Sequence, residues 1–466
     1  MKKLWLVLLS LGLLMAFSVS ASAADVKFSG EYYAAGLYMN HVNLQDPALT
    51  YSRSTAFFYQ RLRLGTDFVV SPCLRLVTRM DIMERVWEPD DTGNDAFGRP
   101  VAPGITNDAR NLDFDIVYVD YTSPIGKFQV GYQPDYMWGT IWANRTTGPT
   151  APQIKYFLPI GPVVLFAGFA KEDENDYSVQ YPLAAETDRD QNSYRIGPIF
   201  NFKGNNVSGE AGVLFTYDDV RQYSGPAVGF FEQDVYTVQP YFKAKFGPVA
   251  LQGEVNYAFG QRDFETNIPG TIEDRDINSW SAFLDGDVNL GIFDFGGSFA
   301  FVQGQDFDDT TANGGDIQSQ LSGGRDWDPC LILFNNTTQV SWIAPRITTW
   351  VPAVIEGLNY KSSPTGEMRN AYFGQLRFGV KPVPKLRLAT SVSYAAAHEK
   401  PNVGFGDFDR DYGWEVDVTG TYKITNNLSY MLGGGYFFTG DYFQAGNDAL
   451  DLNDDFIIIN KLTLAF

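Results

Sequence analysis

The stretch Arg61-Leu62-Arg63-Leu64-Gly65-Thr66-Asp67-Phe68-Val69-Val70-Ser71-Pro72-Cys73-Leu74-Arg75-Leu76-Val77-Thr78-Arg79-Met80-Asp81-Ile82 decides the fold class. Leu62, Leu64, Phe68 and Val70 fall on one side of a two-residue repeat, with Thr66 among them. Arg61, Arg63, Gly65 and Asp67 fall on the other. After Ser71-Pro72, Leu74, Leu76, Thr78, Met80 and Ile82 alternate with Arg75, Val77, Arg79, Asp81 and Met83. A helix would space its apolar residues three and four apart. This spacing predicts two antiparallel strands joined by a tight turn.

The same texture extends outward in both directions. It predicts strands near 26–39, 55–70, 74–87, 112–122, 127–137, 153–158, 163–171, 192–202, 207–217, 234–246, 249–260, 278–289, 292–303, 370–381, 385–397, 411–424, 428–438 and 456–466. That makes eighteen, and bacterial membrane barrels have an even number. The weakest segment is 153–158, and losing it with a neighbour would leave sixteen. Short connections such as Pro124-Ile125-Gly126, Gly247-Pro248 and Asn426-Asn427 alternate with long ones, the longest being 304–369. Short turns at one end and long loops at the other are the pattern of an up-and-down transmembrane barrel, here with periplasmic turns and extracellular loops.

A soluble sandwich would show the same alternation, but three features favour a membrane. Lys2 and Lys3, the apolar run from Leu4 to Phe17 and the small residues Ala21-Ser22-Ala23 read as a cleaved secretory signal over 1–23. That leaves 24–466 as a single barrel domain. Aromatic residues form 15% of the chain and gather near strand ends, as at Tyr32-Tyr33 and Tyr436-Phe437-Phe438, where interfacial girdles lie. The chain also finishes as an amphipathic strand, with Phe456, Ile458, Leu462, Leu464 and Phe466 alternating.

The terminal Phe466 resembles the closing aromatic of outer-membrane barrels, which the barrel-assembly machinery reads as its signal. Within that group, residues 55–139 resemble the alginate-export-like and related eighteen-stranded porins of Gram-negative bacteria. The resemblance is carried by Arg61-Leu62-Arg63-Leu64, Arg75, Arg79, Tyr118-Val119-Asp120, Gly131-Tyr132-Gln133 and Gly139. It implies an outer-membrane channel. The chain departs from that pattern at Tyr132, where arginine is frequent.

Composition excludes several functions. A formal net charge of −20, or −22 without Lys2 and Lys3, repels nucleic acid. Two cysteines, Cys73 and Cys330, and two histidines, His41 and His398, offer neither a disulfide scaffold nor a clustered metal site, and no cofactor is expected. No serine–histidine constellation supports a barrel enzyme.

The predicted pore-lining set follows from strand parity. Arg61, Arg63, Arg75, Arg79 and Arg85 form one basic wall, and Lys243, Lys245, Arg377, Lys381 and Arg387 share the inward parity further round. Asp120, Glu254, Asp285, Asp287, Glu415 and Asp417 are expected on facing walls, setting a transverse field that favours anions. In the loop 304–369, Leu331-Ile332-Leu333-Phe334 and Trp342-Ile343-Ala344 need cover. That predicts a segment folded into the mouth or capping it. The acidic stretches 172–176 and 306–309 read as solvated loop acid, the alternative being cation bridges to lipopolysaccharide. The functional expectation is passive diffusion of small hydrophilic solutes. A sheath or export conduit for a polymer or electron-transfer protein is the alternative, and homo-oligomerisation stays open because lipid-facing contacts look like any apolar surface.

Overall fold

The computed structural model describes residues 25–41, 44–46, 54–87, 112–135, 137–145, 150–174, 190–223, 230–264, 273–306, 315–335, 367–400, 408–449 and 451–466. The expected signal at 1–23, the apolar patch 342–344 and residues 175–176 and 307–309 of the acidic stretches lie outside them.

The strands are β1 (Asp25–Met39), β2 (Gln45–Asp46), β3 (Thr55–Ser71), β4 (Leu74–Val86), β5 (Leu112–Ser123), β6 (Gly126–Pro134), β7 (Thr150–Ile160), β8 (Val163–Asp173), β9 (Gln191–Lys203), β10 (Val207–Tyr223), β11 (Phe230–Phe246), β12 (Val249–Phe264), β13 (Arg275–Leu290), β14 (Phe293–Val302), β15 (Ala371–Val383), β16 (Leu386–Ala397), β17 (Asp411–Lys423), β18 (Leu428–Thr439), β19 (Asp451–Leu452) and β20 (Asp455–Ala465). Eighteen of them form one antiparallel sheet in which each pairs with its neighbours in sequence. β1 pairs with β3 on one side and with β20 on the other, which closes the cylinder. The two-residue strands β2 and β19 pair separately. Closure leaves no sheet edge unpaired, the condition for a sheet to sit in hydrocarbon.

The segment at 153–158 is a full strand, β7, paired on both sides. Pro152 and Pro159 lack the N–H that a central strand donates to its ladder, which is why the sequence signal there is weak. Strand β6 stops at Pro134, short of the expected 137. There Arg195 takes hold of the Asp135 carbonyl and carboxylate and turns the chain inward.

The outward face is apolar. Phe28, Phe58, Val70, Tyr132, Leu376, Trp414 and Val418 all stand exposed, and a charge at mid-depth there would cost about 2–4 kcal/mol. Near the long-loop end, Tyr194, Tyr217, Tyr236, Phe259, Tyr257 and Trp280 form a run of stacked rings across five neighbouring strands. This is the interfacial girdle of a transmembrane barrel. The adjacent aromatics at 32–33 and 436–438 split by parity: Tyr436 and Phe438 are exposed, while Tyr33 and Phe437 are buried inside.

The interior departs from a uniformly polar wall. The main hydrophobic cluster lies inside the cylinder, where Leu37, Met39, Phe283, Phe373, Phe437 and Ile457 of the wall meet Trp142, Trp327, Ile332, Leu333 and Phe334 of inserted connections. Small inward residues, including Ala300, Ala371, Ser393, Ala395 and Ala397, leave room for these segments and are themselves buried.

Candidate functional site

Among the described residues, two of the connections that pack into the lumen are pinned by a wall carboxylate. Glu254, inward on β12, accepts the Thr140 amide at 3.0 Å and the Thr140 hydroxyl at 2.8 Å on Oε2. Its Oε1 accepts from Gln239 at 2.8 Å and Asn256 at 3.1 Å. Gly139 beside it has φ +73°, and a Cβ there would meet Glu254 Oε2 at 2.7 Å. Only glycine lets the backbone come this close without strain. Glu415, inward on β17, accepts three consecutive amides: Leu331 at 3.0 Å and Ile332 at 2.8 Å on Oε1, and Leu333 at 2.7 Å on Oε2. A carboxylate holding three amides replaces the bonds that a buried loop would otherwise lose with water.

The two inserted segments meet in mid-lumen. The Trp142 ring stacks on Phe283 with centroids 5.3 Å apart and meets Trp327 edge-on at 5.6 Å. Gly324 donates its amide to the Trp142 carbonyl at 2.9 Å. The apolar stretch 331–334 therefore folds inward and finds its cover on the wall itself.

Cys330 comes with the second segment. Its thiol donates to Ser393 Oγ at 3.2 Å, and Cys330, Glu415 and Asp417 bring ligand-type atoms within 4.8 Å of one another. Both Glu415 oxygens already face amide hydrogens, whose dipoles oppose a cation, so the donor set suits a hydrogen-bonded pin. Burial pushes the Cys330 thiol well above its ordinary range, and the two carboxylates act in the same direction.

The basic wall lies on β3 and β4, and each of its four guanidiniums meets acid. Arg61 reaches Glu84 at 3.3 Å, Arg63 reaches Asp81 at 2.6 Å, and Arg79 reaches Asp115 at 3.2 Å. Arg75 bridges Asp67 at 2.8 Å and Asp120 at 3.1 Å. Arg85 does not join them. Met83 takes φ +50° in a bulge, and the pairing slips from Leu62–Ile82 to Gln60–Arg85. The extra residue flips the parity. Glu84 turns inward to Arg61, and Arg85 takes the outward face at the rim, opposite Gln60 and beside the exposed Trp87, whose indole N–H donates to Gln60.

The remaining expected residues keep their inward parity, but the acids do not oppose the bases across the lumen. Asp120 sits beside Arg75 and Lys127 on the same wall. Asp285 and Asp287 hold Arg377 at 2.7 and 3.0 Å. Lys243 pairs with Glu210, and Arg387 with Asp294. Lys245 and Lys381 stand exposed at the short-turn end. Glu254, Glu415 and Asp417 are sealed under the inserted segments, at 3%, 0% and 5% exposure, and so do not face solvent. The field is one of close pairs rather than facing walls, because neighbouring strands lie about 4.8 Å apart and opposite walls far further. Phe466 closes β20, exchanging backbone hydrogen bonds with Gly30, with its side chain exposed.

A second charged set, absent from the sequence expectation, stands above the inserted segments. Glu367 accepts from Ser322 at 2.7 Å and Arg325 at 3.0 Å, and Arg369 lies 3.7 Å away. Burial alone would raise its carboxyl, but Arg145, Ser322, Arg325 and Arg369 together hold it below the ordinary range. Arg195 bridges Asp135 and Glu172 nearby. Cavities of about 350 Å³, lined by charged and apolar side chains together, remain on both sides of the inserted segments. One is on the long-loop side by Trp142, Arg195 and Arg369, the other on the short-turn side by Tyr59, Arg377, Arg387 and Lys461.

No family model matches the chain, and no curated protein does. The resemblance over residues 55–139 therefore rests on those residues. Among solved structures, the chain is similar to Pseudomonas aeruginosa OpdK with vanillate. The TM-score is 0.50 at 11% identity, covering 94% of this chain and 99% of that one. A BenF-like porin from Pseudomonas fluorescens Pf-5 gives a TM-score of 0.49 at 11% identity, with 94% and 99% covered. Pseudomonas aeruginosa OccK9 gives 0.49 at 15% identity over the same shares. At these identities the likeness to OpdK is one of fold: this chain shares the eighteen-stranded barrel architecture of a porin.

Proposed function

We propose that this protein is an outer-membrane channel for passive diffusion of small hydrophilic solutes. The observation that carries the reading is a closed transmembrane barrel narrowed from within by its own pinned connections, with cavities that carry charged side chains on both sides of the narrowing. A sheath for a partner protein or polymer would need a clear lumen, and residues 137–145 and 327–335 occupy it.

In this reading residues 1–23 direct secretion, the short turns face the periplasm and the long connections face outward. Phe466 presents the assembly signal to the barrel-assembly machinery, and the outer loops meet lipopolysaccharide. The paired arginines give at most a modest preference for anions, since each faces a carboxylate within 3.3 Å.

Purified protein in a planar bilayer should give discrete ohmic steps, and a salt gradient should give a small reversal potential. Silent bilayers, with a stoichiometric partner co-purifying, would overturn the reading in favour of the sheath.

A further inference from the structure

The short-turn mouth carries a charge that the arginine wall does not. The chain holds 55 acidic against 35 basic residues, yet none of the eight turns that join paired strands at that end contains Asp or Glu. Lysines gather there instead. Lys203 ends β9, Lys245 lies one residue from the end of β11, and both pair with Ser208 of β10, one from each side. Lys381 lies near the end of β15, Lys385 in the turn after it, and Lys423 ends β17. The Lys423 amide donates to the Lys385 carbonyl at 2.8 Å, which sets these two residues side by side. All five lysines are exposed, and none makes an ion pair among the described residues.

The acids nearest to them are already committed. Glu210 holds Lys243, Asp285 and Asp287 hold Arg377, and Asp294 holds Arg387. At the start of β1, Asp25 and Lys27 offset one another in sign. Strand parity sends the free lysines to the aqueous side, because Lys245 and Lys423 each adjoin an outward aromatic, Phe246 and Tyr422. Lipid headgroups are therefore not their partners. Like charges set directly opposite each other in a sheet destabilise it, and of the five only Lys385 makes a side-chain bond, to the Ile424 carbonyl at 3.3 Å. The fold gains little from this arrangement, so its effect falls on what passes the mouth.

Ion selectivity follows charge that is left uncompensated along the path. The guanidiniums of the arginine wall each meet a carboxylate, whereas these ammoniums do not. Lys203 and Lys245 stand two strand spacings apart, roughly 10 Å. That is close to the screening length of about 8 Å at physiological salt, so their fields overlap across Ser208. A lysine presents its charge as a compact, strongly hydrated point. Such a ring sorts small hydrated ions by charge rather than by shape.

We propose that Lys203, Lys245, Lys381, Lys385 and Lys423 are the anion-selecting residues of the channel, a basic ring at the short-turn mouth that draws small hydrated anions into the bore. The inference rests on the channel reading, and one experiment separates the two. The full chain is reconstituted in planar bilayers under a gradient of dilute KCl. The reversal potential then gives the permeability ratio of chloride to potassium.

The triple change Lys381→Gln, Lys385→Gln and Lys423→Gln should lower that ratio roughly twofold, and the double change Lys203→Gln and Lys245→Gln should lower it in the same direction. Arginine at the same positions keeps the charge and should keep the wild-type ratio. In molar KCl, where the screening length shrinks to about 3 Å, all variants should conduct as wild type does, which shows that the bore itself is unchanged. Two results would overturn the ring and leave the channel standing. One is normal current steps with the same ratio in wild type and both glutamine variants. The other is a fall in the ratio that arginine reproduces, since the effect would then come from altered structure rather than lost charge. Silent bilayers with the wild-type protein would strike the channel reading, and the ring with it.

Discussion

Arg75 shows how a lumen residue works here. It is 41% exposed and bridges Asp67 and Asp120, so its charge reaches the water only after partial cancellation. Arg75→Ser would leave both acids without this cation. The channel should then shift towards cations by several millivolts in a tenfold KCl gradient, a change readable as reversal potential, and an unchanged value would mean that the wall only hydrates the pore. Tyr33 lies between Arg61, 5.1 Å from its ring centre, and Lys461, at 4.3 Å, so the ring spaces two cations that would otherwise repel. At this scale, inward parity was legible wherever the repeat ran unbroken, as at Arg61, Arg63, Arg377 and Arg387. It failed at Arg85 because the bulge at Met83 adds one residue without interrupting the pattern of residue types. The counter-charges Glu84 and Asp115 sit at bulges of the same kind, and the exchange of roles between Glu84 and Arg85 has no one-dimensional signature.

The inserted connections are the elements that set the bore, and their anchors are open to test. Glu415→Gln puts an N–H₂ group where amides donate. At least one of the three bonds is lost, at about 1–3 kcal/mol for a buried donor left unpaired. The segment 327–335 should loosen and Cys330, now buried, should react faster with a maleimide while exposed Cys73 reacts as before; equal Cys330 rates in both proteins would count against the pin. Gly139→Val should push residues 137–145 off Glu254 and widen the channel, seen as a larger single-channel conductance.

The ion pairs of Glu367 also give a pH dependence. Its carboxyl is held below the ordinary range, so the anchoring is fully present above that range and is lost as pH falls through the lowered value. Current noise from the loop should therefore stay flat through mildly acidic pH and rise only once pH falls beneath the ordinary range of a glutamate. Noise rising already near pH 6 would show that another group governs the loop. In the sequence, the stretch 331–334 announced that the long connection needed apolar cover. The partner that supplies it, an interior patch around Phe373 and Phe437, was hidden because both faces of those strands are apolar there.

At the scale of the whole molecule, closure is the dominant fact. β1 and β20 join the ends of the chain, and Phe466 locks onto Gly30. Deleting Phe466 should lower the yield of folded barrel in the outer membrane several-fold while leaving residual folded protein with normal conductance; an undiminished yield would remove its role as a signal. The sequence alone determined the strands, their even count, the lipid-facing side and the alternation of short and long connections. All of these follow from a period of two and from turn residues, which are local. Tertiary structure alone decided which charges pair, which acids are sealed and how the bore is narrowed. Those depend on strands brought side by side from distant parts of the chain, on single-residue bulges, and on segments whose hydrogen bonds are completed only by a wall carboxylate more than eighty residues away, as Glu415 is from Leu331.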